Sequence, residues 1–105
     1  EGLSRDLATS IIRSFEKSGL RVHPFAPVRD NVVREGREWV PAIIRYNVVP
    51  ARLLLEIGNL GNRKDRELLR TRKHRRALAD AIYKGIAEFY AEDGGEPRTV
   101  VTAAR

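Results

Sequence analysis

The segment that most constrains this chain is Leu53-Leu54-Leu55, three consecutive aliphatic residues set between Pro50 and Gly58 and followed at once by Glu56. A short, continuous apolar run of this kind suits a strand buried on both faces, as in a parallel sheet covered by helices. On a regular strand Leu53, Leu55 and Ile57 share one face, and Leu54 and Glu56 the other. A carboxylate at the end of a buried strand is costly unless it is partnered. It also sits where open α/β sheets place their ligands, just outside the carboxyl ends of the strands. Burial disfavours the charged form of a carboxylate and suits it to proton transfer. Glu56 is therefore the candidate catalytic residue. The competing structural reading pairs Glu56 with Arg45 or Arg52 and gives it only the task of holding loops together. Gly58 leaves the backbone free to turn directly after it.

Helical patterns flank this run. Ser4 can cap a helix over residues 5–18, in which Leu7, Ile11, Ile12 and Phe15 form one stripe and Gly19 is the stop. Leu20 to Pro27 reads as a short extended piece and then a loop, and residues 28–39 show no clear period. Val40 to Tyr46 has the composition of a short strand around Ile43 and Ile44. Asp65 to Arg70 can form a short helix. Thr71 can cap a longer one carrying Leu78, Ile82, Ile86, Phe89 and Tyr90, and ending at Gly94-Gly95. Gly85 costs that helix about 1 kcal/mol relative to alanine. Residues 94–105 lack an apolar period and read as a disordered tail. The order of elements predicts α/β: an incomplete three-layer αβα domain over residues 1–93, with a short sheet flanked by helices and its N-terminal strands missing or supplied by another chain.

Composition narrows the classes. A chain of 105 residues forms one small domain. No apolar run approaches the roughly 18 residues of a membrane span, so no membrane partner is expected. With no cysteine there is no disulfide framework or thiolate metal site, and His23 and His74 are too few for a histidine cage. The first residues, from Glu1 to Ser4, lack the basic start and apolar stretch of a signal peptide, and the chain does not begin with Met, so it reads as a piece of something longer.

The net charge is +6, and the segment Arg63 to Arg76 carries an excess of six by itself. Arg63, Lys64, Arg66, Arg70, Arg72, Lys73, Arg75 and Arg76 face only Asp65 and Glu67. Such a patch attracts anionic polymers. The absence of interleaved aromatic residues weighs against single-stranded nucleic acid, and a solvated helix face is the plainer reading.

The stretch VVPARLLLEIGNLGNRKDRELL, from Val48 to Leu69, resembles the C-terminal signature of the zinc-dependent N-acetylmuramoyl-L-alanine amidases (the amidase_3 family of peptidoglycan hydrolases). Pro50, Ala51, Leu53 to Leu55, Glu56, Gly58, Leu60, Asn62, Asp65, Leu68 and Leu69 fall in step with it. Leu7-Ala8 with Ile11-Ile12 and Ile43-Ile44-Arg45 upstream, and Leu78-Ala79-Asp80-Ala81-Ile82 with Gly85-Ile86 downstream, extend the likeness to about residues 4–91. Asn59 stands where the family usually has Phe, and Gly61 where it usually has Ser.

The resemblance implies a hydrolase that cleaves the amide between N-acetylmuramic acid and L-alanine with zinc-activated water. Glu56 would serve as general base and then acid, Arg45 would orient Glu56 or a substrate carboxylate, and Asn62 would fix the loop. The family's zinc ligands are His, Glu and His, all N-terminal to the matched region, so the resemblance places them upstream of Glu1. His23 and His74 do not fall at those positions. The resemblance thus implies the C-terminal half of a catalytic domain, with no metal bound to this chain alone and no activity in isolation. It further implies peptidoglycan as substrate, an extracytoplasmic location in periplasm or cell wall, and association with the N-terminal half of its own domain or a second copy. The alternative is a non-catalytic amidase-like domain, or a basic binding module using the Arg63–Arg76 patch.

Overall fold

The structure, a computed structural model, describes residues 2–30 and 32–92. Two helices dominate it: α1, Gly2–Lys17, and the last helix, Arg72–Glu92. Between them lie a two-stranded hairpin (β1, Val32–Arg34, and β2, Arg37–Trp39) and two short helices, α2, Ala42–Arg45, and α3, Arg63–Arg70, which makes the last helix α4.

The α1 stripe read from the sequence is the one that packs. Leu7, Ile11 and Phe15 are buried against Leu78, Ala81 and Phe89 of α4, while Ile12 lies half-buried at the margin. The helix ends as expected at Gly19, which adopts φ +75° and lets Leu20 N–H reach Phe15 O at 2.9 Å. That left-handed cap satisfies a carbonyl at the helix end and is open to glycine without strain.

The crossing of α1 and α4 is unusually close, and Gly85 makes it possible. A Cβ at position 85 would lie 2.6 Å from Ile11 Cα. The helix-propensity cost of glycine is thus offset by contact between the two backbones. Ser10 and Ser14 are buried on α1 and donate to the carbonyls of Gly85 and Ala81, each at 2.7 Å. Burying a hydroxyl without a partner costs free energy, and these bonds remove that cost. The close crossing also rotates the α4 stripe. Ala81 and Gly85 occupy the contact, Ile82 is half-buried, and Ile86 and Tyr90 remain exposed.

Three local expectations are corrected. Ser4 lies inside α1 and does not cap it; its Oγ accepts from Arg52 N–H at 3.0 Å and so ties the Leu53 segment to the helix. Residues 42–45 form α2 and not a strand, because Pro41, with φ −53° and no N–H of its own, opens a helical turn. Its carbonyl accepts from both Ile44 and Arg45 N–H at 2.9 Å. The hairpin went unread because its two-residue turn is Glu35-Gly36, with φ +53° and +76°, where Asn-Gly or Asp-Gly is the usual signal. Both ends of the expected domain, Glu1 and Asp93, lie outside the described residues, as do Gly94-Gly95 and the tail.

The Leu53 segment, expected as a buried strand, forms neither helix nor strand and has no strand partner among the described residues; its exposure alternates as in a ribbon with two faces. One side of this ribbon rests on the helix pair: Ala51, Leu53 and Leu55 pack against the core. The other side is open, with Leu54 52% exposed and Glu56 exposed. Ribbon and helices make two layers.

Candidate functional site

The alternation read from the sequence sets the register at Glu56. Leu53 and Leu55 turn to the helices, so Leu54 and Glu56 turn away from them. Ile57 departs from strict alternation and is exposed. The expected burial of Glu56 is absent, because no second layer covers the outer face of the ribbon among the described residues. The expected arginine pairing is absent as well. Arg52 gives its guanidinium to Ile44 O at 3.2 Å and Val49 O at 2.9 Å. Arg45 stacks over the Tyr46 ring, 4.8 Å from its centroid. Glu56 therefore stands on an open face with no ion-pair partner among the described residues.

Directly after Glu56 the chain is braced against α3. Gly58 needs no left-handed conformation; its role is close approach, since a Cβ there would meet Leu69 Cδ1 at 3.2 Å. Asp65 accepts from Asn59 N–H at 2.9 Å through Oδ2, and its Oδ1 lies 3.6 Å from the Arg21 guanidinium. Asn62 caps α3: its Oδ1 accepts from Asp65 N–H at 3.0 Å, and its carbonyl accepts from Arg66 N–H at 3.0 Å. Arg66 in turn donates to Leu60 O at 2.7 Å. The loop is thus fixed at both ends by side chains of α3 and its cap.

Asn59 and Gly61 are a matched pair. Asn59 Oδ1 accepts from Gly61 N–H at 2.8 Å, and a Cβ at 61 would sit 3.2 Å from that same oxygen. A serine at 61 would crowd the turn that asparagine at 59 makes. The two positions that depart from the amidase signature therefore depart together.

A shallow, mostly apolar groove of about 350 Å³ lies between ribbon and helices, lined by Leu7, Ile11, Leu53, Leu55, Ile82 and Ile86, among others. Glu56 is not part of it. His23 is engaged in its own loop, its Nδ1 3.2 Å from the N–H groups of Phe25 and Ala26. His74 is half-buried in the first turn of α4. Among the described residues, no three His, Asp or Glu side chains come together to hold a metal ion. The ligands that the resemblance places upstream of Glu1 fall outside those residues, as Glu1 itself does. Among the described residues, too, no helix is long and apolar enough to cross a membrane.

The chain is similar to the germination-specific N-acetylmuramoyl-L-alanine amidase of Bacillus subtilis (strain 168), with 31% identity over 68 residues. The match covers 65% of this chain and 29% of that protein, so the chain spans less than a third of its relative's length. Any stretch of 68 residues in a chain of 105 takes in positions 38–68, so the ribbon, Glu56 and the loop before α3 fall within it. No family profile and no solved structure matches the chain.

Sequence reasoning missed Ser4, Asp65 and Asn59 as the residues that hold the ribbon and its loop. Asp65 had a readable signal, since an Asn three residues before an Asp at a helix start is a capping pattern. Ser4 had none, because its partner lies 48 positions away.

Proposed function

We propose that this chain is the glutamate-bearing part of an N-acetylmuramoyl-L-alanine amidase domain that acts on peptidoglycan outside the cytoplasm. The observation that carries the reading is the outward register of Glu56 on a ribbon whose inner face is packed, within a stretch similar to an amidase. In this reading the ribbon is the outermost remaining strand of an αβα domain. Its exposed Leu54 and its unpaired backbone are what further strands would cover.

The described residues of this chain do not fit a zinc site. The two histidines lie in different elements and no acidic cluster adjoins either. The ion that the amidase_3 resemblance implies would need ligands from other parts of the protein. The chemistry assigned to this chain is proton transfer. Glu56 accepts a proton from the water that attacks the scissile carbonyl carbon. As the C–N bond breaks, it returns a proton to the departing amine of L-alanine. Asn62 fixes the loop after Glu56 and does not carry the reaction, and Arg45, held over Tyr46, makes no ion pair with Glu56 among the described residues.

The test is Glu56→Gln in the intact polypeptide that carries this segment, assayed on purified peptidoglycan. General acid–base catalysis contributes about 100-fold or more, so kcat is expected to fall by at least that factor with the melting temperature unchanged. Retention of kcat within two-fold would overturn the assignment and favour a non-catalytic amidase-like domain. The isolated chain is expected to bind no stoichiometric zinc and to cleave no muropeptide.

A further inference from the structure

We propose that the corner between α3 and α4 is a docking surface for a linear phosphodiester polymer that lacks stackable bases, of the kind built on short polyols. The two helices meet at a single residue, Thr71. Its N–H and Oγ1 both donate to Leu68 O, at 3.0 and 2.8 Å, and its Oγ1 accepts from His74 N–H at 3.2 Å. Thr71 thus closes α3 and opens α4, so the cations of the two helices flank one capped corner.

The local acidic groups are already engaged. Glu67 pairs with Arg63 at 3.1 Å, and Asp65 holds the Asn59 turn and faces Arg21. Arg66 and Arg75 are bound to backbone carbonyls, those of Leu60 and Leu69. Lys64, Arg70, Arg72, Lys73 and Arg76 remain, all exposed and without an ion pair among the described residues. Three of these five are arginines, whose planar fork suits phosphate oxygens.

What the patch lacks selects among anionic partners. No aromatic side chain lies between residues 63 and 76, so the unpaired bases of a single strand would find no stacking platform. Leu68 is the only exposed large apolar side chain there, so the corner has no apolar face to enter a lipid surface. A polymer offering phosphate charge alone matches a surface offering cations alone. The inference itself stands on charge and exposure and does not depend on the amidase reading.

The test uses the 105-residue chain and poly(glycerol phosphate), with binding followed by titration calorimetry between about 50 and 300 mM salt. Each phosphate contact on a single-stranded polyanion contributes a log–log salt slope of about 0.7, so a slope of about 3.5 is expected if all five free cations engage. The triple variant R72Q/K73Q/R76Q is expected to bind at least ten-fold more weakly. R13Q/R37Q/K84Q, which removes the same charge elsewhere, should stay within two-fold, with circular dichroism unchanged in both. Absence of binding at the lowest salt would overturn the proposal, as would equal weakening by the two triple variants. Binding to duplex DNA, polyglutamate or anionic vesicles as tight as to the polymer would also overturn it.

Discussion

Gly85 shows how one residue can carry opposite meanings in sequence and structure. Read in isolation it weakens α4; in the fold it admits Ile11 of α1 to backbone contact. Gly85→Ala gains helix propensity but drives a methyl group into Ile11 Cα, where no flexible side chain can yield. Overpacking of this kind costs about 1–3 kcal/mol, and with main chain on the other side the upper end applies. Urea denaturation should show a loss of about 2 kcal/mol after the propensity gain is counted. An unchanged midpoint would show that α1 and α4 are not held this close. Glu56 is the residue-scale counterpart: its alternation with Leu53, Leu54 and Leu55 was legible, whereas its surroundings were not. Burial depends on a second layer, and nothing in a strand's own sequence states whether that layer is present.

At the scale of elements, the helices were readable because their stripes are local. Leu7, Ile11 and Phe15 needed only a period, and Thr71 and Gly19 marked ends by their own chemistry. The short elements were not readable in the same way. Ile43 and Ile44 have strand composition, yet Pro41 starts a helical turn; Glu35 at φ +53° hid a hairpin behind an atypical residue. The loop before α3 lies between these cases. Its unusual residues were visible, but their coupling was not, since it rests on one hydrogen bond from Gly61 N–H to Asn59 Oδ1. Gly61→Ser and Asn59→Ala should therefore be non-additive. In a double-mutant cycle, Gly61→Ser is expected to destabilise the wild-type loop. It should cost at least about 0.5 kcal/mol less once Asn59 is alanine, the lower bound for directly coupled residues. Additive effects would mean the two positions act independently.

For the whole molecule, the ribbon has no strand partner and an open face among the described residues, and unpaired edges recruit other strands. At high concentration the isolated chain is expected to self-associate through this face. Light scattering should show an apparent mass that rises with concentration, and Leu54→Lys, which places a charge on the open side, should restore the monomer. A monomer at every concentration in the unsubstituted chain would mean the edge is already satisfied within the molecule. The larger claim is that this two-layer piece supplies the proton carrier to an amidase. The measurement that reaches it most directly follows a defined muramoyl-peptide, by product mass, as the intact polypeptide turns it over with Glu or Gln at position 56. The account requires that Glu56 release a peptide with a free L-alanine amino group and that the Gln variant release about 100-fold less, or lower still, per unit time. Equal release by both forms, or cleavage at a different bond, would contradict it.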